Sequence, residues 1–511
     1  MGMCYNEENN LLSQRRTIMF EKITPEEAGV SSRQVAEYIS YLNRRGAVMH
    51  SVLLMRHGKI FAEYYWAPFH KDFLHRMYSQ TKSYVSIAIG LLMEEGKLSL
   101  SDKVYDFFKD DGRAPADAAP YLKEQTVRDM LMMTTAGACP YWFTNSDPDR
   151  THMYFSAGSK SYPAGTYWEY DSAGSQVLSS LVEKLAGMKL LDYLKLKLFD
   201  RMGTFKTATV LETRNGDSWG DSALCCTSRD MASCGYLVSH YGEFEGEQLM
   251  SADYLREATS KLTGNSETAF VSHYHHGYGY QIWRTEQNGF AFNGMGCQFT
   301  VGLPERDLVF VCTADNQGFG NGASIIINGM FDYIVNHMQN EPLPADPAAE
   351  AVLASATADL KLAAAIGDAH SDFEKELSGV TYLCPENSTG ITKFRFDFEG
   401  EEGVFRYTNA QGDKQIRFGL TTNAFGKFPE LGYSNDRGGM RTTDGFMYDC
   451  AASAAWDDPH KLVLRVQIID RYFGNFHAIF GFNGDVAHVR FGKTAEDFLG
   501  TYQGSFTAKK A

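Results

Sequence analysis

The stretch 341–350 (EPLPADPAAE) divides this sequence into two textures that a single layer of structure cannot hold together. Before it, helix-length apolar segments are set between short β-type runs. After it, strands alternate with turn signals and almost nothing else. Proline interrupts helix and ladder alike, so a Pro- and Ala-rich run reads as a linker, here with an Ala-rich helix continuing to about residue 365. The expected organisation is a loose polar leader over 1–18 and a first domain over 19–340. Linker and helix occupy 341–365, ahead of a separate all-β domain over 366–511. A length of 511 residues accommodates two or three domains.

Within the first domain, residues 51–56 (SVLLMR) and 60–65 (IFAEYY) flank His57-Gly58-Lys59 as a hairpin. A long apolar helix comes next, from Ser83 through Leu92 towards Gly96. Further helical patterns lie at 126–133, 173–186, 189–199 and 228–241, the last with Ser228 as its N-cap. Strand patterns return at 277–284, 298–303 and 308–314, ahead of a helix at about 323–338. This order predicts an α+β domain whose opening and closing strands share one antiparallel sheet. Beyond 366, the turns Glu399-Gly400, Gln411-Gly412-Asp413 and Asn483-Gly484 space the strands as in a barrel or meander.

Composition excludes several partners. Lys plus Arg is 48 and Asp plus Glu is 63, so the net charge is 48 − 63 = −15, which repels nucleic acid and anionic lipid. No run approaches the roughly 18 apolar residues of a membrane helix, and MGMCYNEENNLLSQRRTIMFEK has no apolar core of a secretory signal. Nine cysteines without a Cys-x-x-Cys spacing read as free thiols of a reducing compartment. A cytoplasmic protein without cofactor is expected. His273 and His275 would share one strand face, but no carboxylate or thiol stands at a telling spacing, so no metal is expected.

The chemistry concentrates at Ser79-Gln80-Thr81-Lys82, at the mouth of the long apolar helix. Residues three apart meet on one helix face. A serine hydroxyl needs a base to become a nucleophile, and a lysine amine held neutral by burial and the helix N-terminus can be that base. The helix start also aims the Ser79 N–H at an oxyanion. A bare Ser-x-x-Lys arises about once or twice by chance in a chain this long; its position at the helix mouth and the blocks downstream give it weight. Tyr170 and Ser172 stand two apart, on one side of an extended segment. Gly294, in Phe292-Asn293-Gly294-Met295, lets backbone approach a ligand closely.

These blocks resemble the serine β-lactamase and penicillin-recognising superfamily, in its class C-like branch of esterases, D-amino-acid peptidases and 6-aminohexanoate-dimer hydrolases. The likeness spans about residues 20 to 340. It rests on SQTKSYVSIAIGLLMEEGKLSLSDKV, TVRDMLMMTTAG, PAGTYWEYDSAGSQVLSSLVEKLAG, GDSALCCTSRDMASCGYLV, GYGYQIW and GMGCQFTVGLPERDLVFV. It implies a β-lactamase-like fold, an antiparallel sheet flanked by helices plus a helical subdomain, ahead of the smaller C-terminal barrel-like or meander domain. By resemblance Ser79 is the acylated nucleophile, Lys82 its base and Tyr170 the catalytic tyrosine, with Ser172 beside it. Phe292-Asn293-Gly294 stands where the family keeps its third motif, and Met295 N–H becomes the second oxyanion donor.

Phe292 replaces the cationic or imidazole residue that holds a β-lactam carboxylate in that family, so small esters and neutral amides are the expected substrates. Tyr141, Trp142 and Trp168 are expected to line an apolar pocket beside Phe292 and Asn293. The rival readings are a β-lactamase proper or D-amino-acid peptidase, an acyltransferase sharing the acyl-enzyme, and a non-catalytic sensor. The partner is then a small-molecule ester or amide, with a homodimer as the oligomeric expectation. The C-terminal domain resembles lipocalin-like barrels and is expected to cover the site or hold a partner subunit.

Overall fold

A computed structural model describes residues 20–139, 147–157, 162–266, 275–433 and 447–511. The chain divides into two compact units, one of residues up to 316 with 321–361, the other of 317–320 with 362–511.

In the first unit, α1 (Ser32–Arg44) precedes the hairpin β1 (Met49–Arg56) and β2 (Lys59–Tyr65). Later come β3 (Trp283–Arg284), β4 (Phe290–Gly294), β5 (Gln298–Leu303) and β6 (Leu308–Ala314). The sheet order is β2-β1-β6-β5-β4-β3, antiparallel throughout. The pairing of β1 with β6 (Leu53 with Val311, Leu54 with Phe310) joins the opening and closing strands, as the sequence predicts. Each central strand is buried on both faces. Val309 and Val311 face one core, with helices α2 (Thr81–Glu94), α3 (Ser172–Ala186) and α4 (Ser228–Ser239). Phe310 and Cys312 face a second core, with α1 and α5 (Gly322–Tyr333). Gly235 lets α4 lie directly on the sheet, since a Cβ there would stand 2.7 Å from Thr300 and 2.8 Å from Val309.

Some local expectations need correction. Thr227, not Ser228, caps α4, because its hydroxyl and Asp230 form a reciprocal capping box. Residues 277–284 are not one strand. Gly277 (φ +111°) and Gln281 (φ +57°) take left-handed backbone, and Gly279 N–H bonds Ile282 O, so the chain folds back on itself before β3. Nor is 341–361 a free tether. Leu343 N–H donates to Glu26 O, and α6 (Pro347–Thr357) packs on α1. The last crossing between units falls at 361/362.

The second unit holds β7 (Thr381–Leu383), β8 (Lys393–Glu399), β9 (Glu402–Asn409), β10 (Gly412–Leu420) and β11 (Ala424–Leu431). It continues with β12 (Met447–Asp458), β13 (Lys461–Ile468), β14 (Asn475–Asn483), β15 (Val486–Thr494) and β16 (Gly504–Lys510). The order is β10-β9-β8-β7-β16-β15-β14-β13-β12-β11. Gly419 and Leu420 pair in parallel with Ser453 and Ala454, so the sheet curls back on itself into a barrel-like body. Its interior is aromatic: Phe394, Phe396, Phe405, Phe480 and Phe491 are buried against one another. The cysteines among the described residues are all free thiols, and no helix there is long and apolar enough to cross a membrane.

Two buried histidines tie β1 to the short strand His75–Arg76 that leads into the Ser79 turn. His75 Nδ1–H donates to Arg76 O (2.9 Å), leaving His75 Nε2 to accept from His50 Nδ1–H at 2.8 Å. The His50 ring stacks on Phe69, centroids 3.8 Å apart. Burial lowers both imidazoles, His75 to about 3. The unfolded chain takes up these protons near pH 6.5 and the folded chain does not. The histidines' contribution to stability is therefore complete above pH 6.5 and is lost as the pH drops below it, down to about 3 for His75, by about 1.4 kcal/mol per pH unit for each group. Urea unfolding at pH 7.5 and 5.0 should show this slope, and the double variant His50→Gln, His75→Gln should flatten it. An unchanged slope in that variant would assign the acid sensitivity elsewhere.

Candidate active site

The turn that carries Ser79 is built by its neighbours. Strand His75–Arg76 pairs with Cys225 and Cys226, and Met77 N–H bonds Leu224 O (2.8 Å). Tyr78 then adopts φ +48°, a left-handed conformation costing a tyrosine about 1–3 kcal/mol. Its ring lies 4.4 Å from the Arg76 guanidinium, and its carbonyl accepts from Thr81 Oγ1 at 2.7 Å. Thr81 Oγ1 in turn accepts from Leu224 N–H (3.1 Å). The result is a sharp strand-to-helix turn, Tyr78–Gln80 in 3₁₀ form and α2 from Thr81, with Ser79 half-buried between buried neighbours.

Lys82, 1% exposed, reaches back to this turn. Its Nζ stands 3.0 Å from Ser79 Oγ, donates to Asp221 O at 2.7 Å, and lies 5.1 Å from the centre of the Tyr170 ring. Ser79, Lys82 and Tyr170 are thus brought together. Tyr170 is held by the segment around Asp171, which caps α3 through Gly174 N–H and accepts from Thr135 Oγ1 (2.9 Å). The Tyr170 ring stacks on Trp283 at 5.7 Å.

On this side one expectation fails and the basis of another changes. Trp168 is only 4% exposed and packs edge-on against Tyr278 and Trp283, so it backs Tyr170 and does not line a pocket. Ser172 opens α3 directly after its cap, so the two-residue alternation that would align it with Tyr170 stops at Asp171. Tyr141 and Trp142 lie outside the described residues.

The third block closes the site from β4. A Cβ on Gly294 would come within 2.0 Å of Met77 O, so only glycine lets this strand touch the Ser79 turn. Phe292 is fully buried, with its ring 5.8 Å from Tyr84 and 5.7 Å from Phe290. It is a core residue and not a substrate contact; strand alternation places half-buried Asn293 on the other side. After Gly294 the chain turns. Cys297 N–H holds Gly294 O at 3.2 Å, and in a trans peptide Met295 N–H points the opposite way, out of the turn. Met295 itself is half exposed, at 49%.

Two residues of the site escape sequence reading. Gln298, fully buried, donates through Nε2 to Met295 O (2.9 Å) and Ala314 O (2.7 Å), and accepts from Ala314 N–H (3.0 Å). It acts as an extra peptide group tying the Met295 turn to β6. Asp221, whose carbonyl holds Lys82, also buries a carboxylate 3.9 Å from Lys82 Nζ. A polar residue beside the apolar runs ALCC and FTV was the available signal for both.

The family model described as Beta-lactamase matches residues 35–324. A 6-aminohexanoate-dimer hydrolase of Paenarthrobacter ureafaciens is 25% identical over 262 residues, 48% of this chain and 66% of that protein. The chain therefore spans just under two thirds of that relative's length. Among solved structures, the octameric penicillin-binding protein homologue from Pyrococcus abyssi aligns over 93% of this chain and 99% of its own, with TM-score 0.48 and 14% identity. A penicillin-binding protein homolog from Caulobacter crescentus aligns over 60% and 98%, with TM-score 0.49 and 16% identity.

Gln298→Ala should unfasten the Met295 turn. It leaves one buried carbonyl, one part-buried carbonyl and one buried N–H without this partner, a loss on the order of 3 kcal/mol. Urea unfolding measures it; a change below about 0.5 kcal/mol would mean that the three bonds do not hold the turn.

Proposed function

The chain belongs to the beta-lactamase family, and from that premise we propose that it is a serine hydrolase acting through a covalent acyl-enzyme on small esters or amides. The observation that carries this reading is the 3.0 Å approach of Lys82 Nζ to Ser79 Oγ at a strained, largely buried turn. Ser79 Oγ attacks the substrate carbonyl as Lys82 takes its proton. The N–H groups of Ser79 and Met295 receive the oxyanion, and Tyr170, against Lys82, passes a proton to the leaving group. Water then resolves the acyl-enzyme by the same route in reverse. A lysine amine on the serine hydroxyl, with a tyrosine ring against that amine, favours catalysis over a binding role, since a binder needs no base.

Position 292 bears on the substrate class. At 292, where related enzymes acting on β-lactams keep Lys or His, this chain places a core phenyl ring, so that position supplies no positive charge for a carboxylate. The exposed Met295 and half-buried Tyr170 give the rim an apolar character. The relative at 25% identity is by its name a hydrolase of an amide dimer, which supports the same class. Free thiols throughout the described residues support a cytoplasmic setting.

Two measurements test the reading. Ser79→Ala should lower p-nitrophenyl butyrate hydrolysis by roughly 10³-fold or more while the unfolding curve stays unchanged, and an activated phosphonate should add once to the wild type, on Ser79. Retained activity or labelling elsewhere would overturn the assignment. For substrate class, kcat/KM on p-nitrophenyl butyrate should exceed that on nitrocefin by about tenfold or more, given a lost charge-assisted hydrogen bond of roughly 1.5–3 kcal/mol. A clear excess for nitrocefin would return the protein to the β-lactam-hydrolysing members.

A further inference from the structure

Asp221 is a buried acid that the acyl-enzyme scheme leaves unused. It is 2% exposed, and its Oδ1 has no hydrogen-bond partner among the described residues. It meets Lys82 twice, through its carbonyl at 2.7 Å and its carboxylate Oδ2 at 3.9 Å. The other groups facing Lys82 come from separate elements: the Ser79 hydroxyl on the turn and the Tyr170 ring ahead of α3. Around Asp221 itself stand the guanidiniums of Arg150, from the helix Arg150–Phe155, and Arg76, from the short strand. Both flank the Trp219 ring, at 5.1 Å and 4.4 Å from its centre. The Trp219 indole is near Asp221 but outside hydrogen-bond geometry.

A carboxylate placed so deep, with one oxygen unsatisfied, burdens the fold. Burial raises the Asp221 carboxyl above its ordinary value, against the pull of Lys82, Arg150 and Arg76. A folded value above the unfolded one means that stability is lost as the pH rises past the ordinary carboxyl range, and stays lost at neutral pH. Asparagine, of the same shape, would relieve that loss. The chain instead keeps the acid at one place, against the candidate base, and buried groups that cost stability concentrate where chemistry needs them.

We propose that Asp221 is a positioning residue for Lys82, its carbonyl fixing Nζ against Ser79 Oγ and its carboxylate balancing the positive charge that Lys82 gains on taking the Ser79 proton. In that step the Ser79 O–H bond breaks and an N–H bond forms on Lys82. The Oγ–acyl bond forms while the carbonyl π pair moves to the oxyanion. Asp221 gains and loses no proton. The inference rests on the assignment of Ser79 and Lys82 as nucleophile and base.

The experiment compares wild type, Asp221→Asn and Lys82→Met in the full chain. Kinetics on p-nitrophenyl butyrate are measured from pH 5 to 10, with urea unfolding at pH 7.5. Asp221→Asn should unfold at the same urea concentration as wild type or higher. Its plateau kcat/KM should fall tenfold or more with KM little changed, and the acid limb of its profile should move about one pH unit lower, because a base without its counter-charge holds its proton less tightly. A plateau that falls with the limb unmoved makes Asp221 merely structural and overturns the inference, as does an Asn variant that fails to fold or an unchanged profile. If Lys82→Met stays active, the assignment of the base fails first. If Lys82→Met is inactive and Asp221→Asn behaves as wild type, only the role of Asp221 falls.

Discussion

The strained backbone at Tyr78 is the constraint around which the first unit is arranged. A tyrosine at φ +48° persists only when its surroundings over-determine it, and here they come from four directions. Arg76 stacks on its ring, Thr81 ties its carbonyl, Leu224 receives the preceding N–H, and Gly294 brings β4 against Met77. Each support depends on a different part of the chain being in place, so the turn forms only when sheet and helices have packed. Such a turn sets Ser79 Oγ at the junction and not along a regular helix face. That is why a serine here meets Lys82 Nζ at 3.0 Å while both neighbouring side chains remain buried.

The same region gathers the unit's least comfortable polar groups. His50 and His75 are buried neutral, and Lys82 and Asp221 are buried as a pair at 3.9 Å with an oxygen unsatisfied. These burdens are tolerated because the sheet is covered on both faces by two extensive apolar cores. The histidines hold the strand that delivers the turn; the Lys82–Asp221 contact lies at its bottom. Acid therefore acts on the scaffold of the turn, through imidazoles that must charge.

Where local pattern and tertiary packing agree, the sequence is readable. The hairpin of β1 and β2, the pairing of β1 with β6, the long buried α2 and the strand–turn–strand pattern beyond 390 all come from periodicity and turn chemistry. The Ser-x-x-Lys spacing likewise fixes a contact that three residues of backbone can enforce. What failed depended on facing. Phe292 and Trp168 look like pocket residues by type, yet β4 turns Phe292 into the core and Trp283 covers Trp168. Residues 277–284 alternate like a strand, but Gly277 and Gln281 take left-handed backbone that a period of two cannot reveal. Asp221 and Gln298 were illegible for a different reason. Their partners, Lys82 and Met295 with Ala314, are fixed only by the tertiary fold, and nothing local distinguishes them from a turn acid and a strand amide.

The second unit shows how a readable pattern still leaves function open. Alternation along β8, β9, β14 and β15 predicts an inside and an outside, and among the described residues the inside is packed with aromatic rings. Phe394, Phe396, Phe405 and Phe480 meet at centroid distances of 4.8–6.2 Å, where a ligand-carrying barrel would keep a lumen. Tyr407 and Tyr502, with buried Glu430, satisfy one another's polar ends inside it. The aromatic side chains that make the strands recognisable in the sequence are the same ones that pack the interior of the curled sheet. The outer face of the β8–β9 ladder is charged. There Arg395 and Arg406 lie directly opposite across β8 and β9 and share Asp397, while Lys393 and Lys414 line the same groove. Like charges side by side on a ladder oppose pairing, and one shared carboxylate offsets only part of that repulsion.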